Sequence, residues 1–224
     1  MEKKNDILLK YIKLMLGFFL CAIGLVTTIN SNMGVSPWDV FHIGLSKTIN
    51  ITIGQASIIT GAMIILLNIM LKQTLGFATI GNMIFIGLFT DMVIYLNFIP
   101  KIESNHLPLK IIMMLLGLAL FSYGTFLYIV QAKGCGPRDG LMQILHQRTN
   151  ISVGIIKNLI DVGAMIIGYI LGGPIGIGTF IYALAIGFFI QFFFKIHKVD
   201  LKKVRHSTFK GEISHVKDAF CKSI

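Results

Sequence analysis

Six predominantly apolar runs, at residues 12–30, 51–71, 76–98, 109–130, 152–172 and 175–196, each approach the ~20 residues that a helix needs to cross a bilayer. A soluble domain has no way to hide so much apolar helix in a chain of 224 residues, of which 54% are hydrophobic and only 13% charged. The sequence therefore predicts an all-α integral membrane protein, since inside lipid each backbone N–H and C=O must find its partner within the protein. A basic start before an apolar run also suits a secretory signal, but no small-residue cleavage site follows cleanly, so the first run reads as a retained span.

The chain also resembles itself. A shift of one hundred residues places Leu16, Gly17, Leu20 and Gly24 on Leu116, Gly117, Leu120 and Gly124 without a gap. The same register pairs Gly34, Pro37, Asp39, Leu45, Asn50, Ile51 and Gly54 with Gly134, Pro137, Asp139, Leu145, Asn150, Ile151 and Gly154, and later Gly76, Thr79, Ile86 and Gly87 with Gly176, Thr179, Ile186 and Gly187. Two copies of one supersecondary unit are implied. The organisation read from this is a first membrane repeat at 1–99, a linker at 100–108, a second membrane repeat at 109–196 and a basic cytoplasmic tail at 197–224. If each repeat crosses three times, the second must be inverted relative to the first, a plan recurrent in transporters. Eight spans with parallel repeats is the alternative, but it requires residues 36–48 to cross as a helix of about 20 Å, short of the ~30 Å hydrocarbon layer. Six spans is adopted.

Between the first two runs of each repeat lies a polar segment, GVSPWDVFHIGLSKTIN at 34–50 and GCGPRDGLMQILHQRTN at 134–150. Ser36 suits an N-cap, Pro37 the first helical position and Asp39 the third, so a helix starts here, and Gly34 and Gly134 permit a tight entry. Asp39, His42 and Ser46 then share one stripe and Trp38, Phe41 and Leu45 another; Asp139, Gln143 and His146 repeat the polar stripe. Each segment reads as a capped amphipathic half-helix after the first span of its repeat, dipping into the membrane or lying on it. An acid in a first turn complements the helix dipole by about 0.3–1 kcal/mol wherever the helix sits. Paired half-helix ends at membrane depth would mark a pathway instead.

Charged groups within spans are expensive and face a partner or a cavity. Asp161 lies near the middle of its run with Lys157 one turn earlier, and Asp91 lies toward one end of the third run. A local pair is the plain reading of Lys157 and Asp161, and ion or proton coupling the sharper one. Asn68, Asn82 and Asn158 are expected to bond between helices. GGPIGIG at 172–178 reads as a tight turn with close packing, without the context of a phosphate loop. Cys21, Cys135 and Cys221 show neither zinc spacing nor a disulfide framework, so no metal or cofactor is expected.

The net charge of +10 is explained by topology. With six spans and the N-terminus inside, sixteen of the twenty Lys and Arg fall on cytoplasmic segments, which places both termini in the cytoplasm and makes nucleic-acid binding unnecessary. The duplicated Gly-x-x-Pro-x-Asp segments, the Thr-Asn-Ile-Ser-x-Gly end of the second and the later Gly-x-x-Thr step resemble the YczE/YyaS/YitT family of bacterial integral membrane proteins over residues 12–196. In that resemblance Gly34, Pro37, Asp39, Asn50, Gly134, Pro137, Asp139 and Asn150 match the pattern, and a bacterial plasma membrane location is implied. The leading expectation is a small-solute or ion transporter rather than an enzyme. Its pathway is expected to involve Ser36, Asp39, His42, Arg138, Asp139, Gln143, His146, Lys157 and Asp161, with the lipid bilayer and an unidentified solute or ion as partners. The alternative is a non-transporting membrane protein that assists or regulates a partner through its tail and loops.

Overall fold

The computed structural model describes residues 4–73, 76–103 and 106–200, and the regular elements among them are all α-helices. They are α1 (Lys4–Asn30), α2 (Pro37–Ile49), α3 (Ile53–Met70), α4 (Phe77–Leu96), α5 (Leu107–Val130), α6 (Pro137–Thr149), α7 (Val153–Ile170) and α8 (Ile177–Ile196). Six of them, all but α2 and α6, are long and apolar enough to cross a membrane. Two boundaries differ from expectation. α1 starts well before its apolar run because no Pro or Gly interrupts the polar lead-in, and α5 starts inside the expected linker, with Pro108 tolerated in its first turn. Of the expected tail, residues 201–224 lie outside the described part.

α1 and α5 form the centre. Gly17 faces Gly124 and Gly24 faces Gly117, so numbers rise along one helix as they fall along the other, and the pair is antiparallel. A Cβ on Gly17 would lie 2.8 Å from the Gly124 carbonyl oxygen, and one on Gly117 the same distance from that of Gly24. Small residues let backbones approach this closely, which is the main source of helix association in lipid, where apolar burial gives no drive. Leu14, Phe18, Cys21, Tyr128 and Ala78 of α4 pack around the crossing, and Phe18 lies between the rings of Phe85 and Tyr128. α4 flanks α1, and α8 flanks α5.

Contacts between helix ends decide the number of crossings. The Asn30 side-chain amide at the end of α1 donates to the Ile99 carbonyl at 2.8 Å, and the Asn30 carbonyl accepts from Ile102 N at 2.9 Å. The end of α1 and the segment after α4 therefore share one end of the bundle, and an even number of crossings separates them. α3 and α4 supply two, so α2 does not cross. At the opposite end Phe126 of α5 and His197 after α8 have ring centroids 4.4 Å apart, which removes α6 by the same reasoning. Six spans hold, and the eight-span alternative does not.

The glycine crossing yields a stability test. Gly24→Ala puts a methyl group 2.6 Å from the Gly117 carbonyl oxygen and 2.9 Å from Phe121 Cα, and such overpacking costs about 1–3 kcal/mol. Gly163→Ala, with nothing within 4 Å of its Cβ, should be neutral or gain up to ~1 kcal/mol from helix propensity. Thermal unfolding in detergent is expected to separate the two variants in that order, and equal midpoints would refute the close crossing.

Candidate functional site

After α1 the chain turns back through Asn32 (φ 53°) and Gly34 (φ 119°) and does not reach across the bilayer. The turn is stitched to the start of α8: Val35 N donates to Thr179 Oγ1 at 3.2 Å, and Gly178 N donates to the Met33 carbonyl at 2.9 Å. Its counterpart around Gly134 (φ 131°) is stitched to α4, where Thr79 Oγ1 donates to the Cys135 carbonyl at 2.7 Å and Ala78 N to the Lys133 carbonyl at 2.8 Å. A Cβ on Gly34 would strike Thr179 Oγ1 at 2.7 Å, so both conformation and space require glycine there. The GGPIGIG turn serves the same approach, with Gly172 at φ 86° and Gly176 against the Met33 carbonyl.

Each half-helix then starts as its sequence specifies. Pro37 and Pro137 open α2 and α6, and Asn50 and Asn150 close them in the left-handed conformation. Ser36 Oγ accepts from Asp39 N at 3.2 Å and donates its proton to Asp39 Oδ2. α6 has Gly136 at this place and no side-chain cap. The far ends are anchored to the other half. Thr48 Oγ1 donates to the Leu171 carbonyl at 3.3 Å and Lys47 Nζ to that of Gly172 at 2.9 Å, while Arg148 donates to the Leu71 carbonyl at 2.9 Å. These donors satisfy carbonyls left open at the ends of α7 and α3.

α2 enters with its polar stripe inward. Asp39, His42 and Ser46 are buried, His42 to 1% exposure, whereas Trp38, Phe41 and Leu45 are half-buried. Against this face comes Arg138, the second residue of α6. Its guanidinium stacks 4.0 Å from the centroid of Trp38 and lies 3.1 Å from His42 Nε2. Arginine only donates, so Nε2 must accept, and the imidazole is neutral with its proton on Nδ1. That nitrogen faces Asp39 Oδ1 at 3.4 Å without an aligned hydrogen bond. On its other side Trp38 Nε1 donates to Asp161 Oδ1 at 2.8 Å, and Asp161 Oδ2 pairs with Lys157. Asp161 lies halfway along α7. A row of polar contacts, Asp39–His42–Arg138–Trp38–Asp161–Lys157, thus joins the starts of α2 and α6 to the middle of α7.

Other expected residues fall differently. Asp139 turns back toward Gly136 at its own helix start. Gln143 and His146 are exposed, and His146 Nδ1 bonds the Ile151 carbonyl at 2.7 Å. They leave the site because α6 is rotated to bury Pro137, Gly140 and Ile144, where Asn68 Nδ2 donates to the Pro137 carbonyl at 2.8 Å. Asn68 bonds between helices as expected, but Asn158 is exposed. Asp91 is a cap: its carboxylate accepts from Gly54 N at 2.8 Å and from the Thr52 hydroxyl, at the start of α3. Sequence reasoning missed Trp38. The available signal was its alignment, one hundred residues away, with Arg138, an aromatic ring against a cation.

Trp38 is the chain's single tryptophan, so its fluorescence reports this junction alone. Arg138→Gln removes the cation over the indole and the donor to His42, and leaving that buried acceptor unmet costs about 1–3 kcal/mol. A shifted or altered emission is expected for Arg138→Gln and unchanged emission for Asp91→Asn. Identical spectra for Arg138→Gln and the parent would refute the stacked geometry.

Among known proteins, the chain is 34% identical to the uncharacterized membrane protein YczE of Bacillus subtilis over 191 residues, covering 84% of this chain and 87% of that one. It is 34% identical to an uncharacterized protein of Haemophilus influenzae over 168 residues, 74% of each chain. With the uncharacterized protein YyaS of Bacillus subtilis it shares 28% identity over 195 residues, 84% of this chain and 94% of that one. No solved structure matches. The pattern of the family described as a family of unknown function, DUF6198, matches residues 8–195, and this multi-pass membrane protein therefore belongs to that family.

Proposed function

We propose that the chain is a transporter of a small solute or ion, built as two inverted repeats in a bacterial plasma membrane, with its site where the first turns of α2 and α6 meet. The observation that carries this is the half-buried contact of Arg138 with His42 and Trp38, which joins the starts of two half-helices to the mid-span acid Asp161. Irregular backbone at membrane depth persists only inside protein or beside a wet cavity, and charged groups there serve a partner or a pathway.

The charges suggest how a solute is admitted. Arg138 and Lys157 oppose Asp39, Asp139 and Asp161, and two helix starts add roughly half a positive charge each, so the junction is near balance while His42 is neutral. An ion entering alone would break that balance in a medium that punishes net charge. The solute is then neutral or zwitterionic, or is an ion matched by proton exchange at His42, whose side-chain type titrates nearest to neutral pH. Ser36 holds Asp39 in place, and Lys157 holds Asp161.

Two outcomes test the reading. A cysteine replacing Lys101 should react with an impermeant thiol reagent on intact cells, and one replacing Lys72 only after permeabilisation, because the basic segments lie inside. In proteoliposomes screened with amino acids, small sugars and inorganic ions, Asp39→Asn and Arg138→Gln should each lower flux at least about tenfold, ~1.4 kcal/mol, at membrane abundance near that of the parent. If both variants carry every solute as the parent does, the junction is a folding device and the proposal fails.

A further inference from the structure

α3 and α4 close tightly on each other. Gly54 meets the Gly87 carbonyl, Ile58 lies over Gly87, Gly61 packs on Met83, and Asp91 accepts from Thr52 and Gly54 across the seam. The positions one hundred residues on, in α7 and α8, keep Gly154 and Gly187, place Asp161 where Gly61 stands, and lack the contacts. Nothing lies within 4 Å of a Cβ built on Gly154 or Gly187. Among the described residues Ser152, at the place of Thr52, accepts from its own helix, from Ile155 N at 3.4 Å, and makes no hydrogen bond with Gln191, at the place of Asp91. α7 instead leans on α2, where Gly168 packs against Phe41 and Gly173 against Val40.

Among the residues left exposed on α7 and α8, beside apolar ones such as Leu159, Leu184 and Phe188, are polar ones. Asn158, at the place of Ile58, and Gln191 are both exposed, without a hydrogen bond to the protein among the described residues, and the Lys157 side chain is 40% exposed. Amides and an ammonium on membrane spans are poor neighbours for lipid and need water. We infer that the space between α7 and α8 is a water-filled cleft leading to Lys157 and Asp161 from the end of the bundle where α7 begins. The α3–α4 seam is its closed counterpart at the opposite end, and the protein alternates by exchanging the two arrangements. This rests on the transporter reading, in whose orientation the cleft opens to the cytoplasm. In the exchanged state Gly154 meets Gly187, Ser152 reaches Gln191 and Asn158 covers Gly187, while Asp91 releases Thr52 and Gly54.

The full-length protein, with Cys21, Cys135 and Cys221 replaced by Ala, provides the test. Asn158→Cys and Gln191→Cys should each react with an impermeant methanethiosulfonate reagent in everted vesicles at least tenfold faster than Ile58→Cys reacts from either face, and not in intact cells. Ser152→Cys with Gln191→Cys, oxidised by copper phenanthroline, should form a disulfide, after which a cysteine at position 58 becomes reactive from the outside. No labelling at 158 and 191 from either face would mean that lipid or a second copy covers these helices, and would overturn the inference. A cleft that labels while position 58 stays sealed after cross-linking would overturn the exchange. None of these measurements needs a solute. A cleft that labels and exchanges in a protein without flux would remove the transporter reading alone, and sealed helices in a protein that carries flux would remove this inference alone.

Discussion

The close antiparallel crossing of α1 and α5 is the contact on which the remaining geometry depends. Gly17 with Gly124 and Gly24 with Gly117 bring two backbones into van der Waals contact, and in lipid that proximity has to come from small residues. Because the crossing is antiparallel, the chain leaves α1 at one end of the bundle and α5 at the other. The two polar segments therefore fold back toward the middle from opposite ends, and their first turns meet there.

Folding back at membrane depth exposes backbone groups that water does not reach, and their partners come from the opposite half. Thr179 serves Val35, and Thr79 serves Cys135. At the other ends of the half-helices, position 48 serves the carbonyl at 171 and position 148 the carbonyl at 71. Each half-helix is thus held at head and tail by the other half of the chain, and neither half satisfies its own polar backbone alone. The prolines and left-handed asparagines only start and stop these helices; where they sit is decided by the threonines and carbonyls of the partner half.

This explains which features were legible in the sequence. Span number, half-helix boundaries and the glycines of the turns follow from length, capping chemistry and φ, all local properties. Asp39, His42, Arg138, Lys157 and Asp161 were singled out as candidates because polar groups at membrane depth always require explanation. The rotation of α6 was not legible: it depends on Asn68, which lies on another helix, and the stripe of Gln143 and His146 on paper is turned outward in space. Asp91 was ambiguous for the same reason, since a capping carboxylate that serves a different helix leaves no spacing signal. Trp38 was read as part of an apolar stripe because its partner lies a hundred residues away.

The junction also links two anchored helix pairs, with Ile53 of α3 packed against Val40 and Ile43 of α2. α2 grips α7 through Gly168, Gly173 and two carbonyl anchors, and α6 grips α3 through Asn68 and Arg148. Between these pairs Arg138 contributes one hydrogen bond and one ring stack, each worth on the order of 1 kcal/mol net. Neither involves backbone, and a long guanidinium arm can follow a sliding indole without losing its charge or its donors. The site is therefore made of side chains carried by two pairs, each anchored through its own backbone contacts. The polar chain that satisfies these groups is the side-chain link between the two half-helix starts.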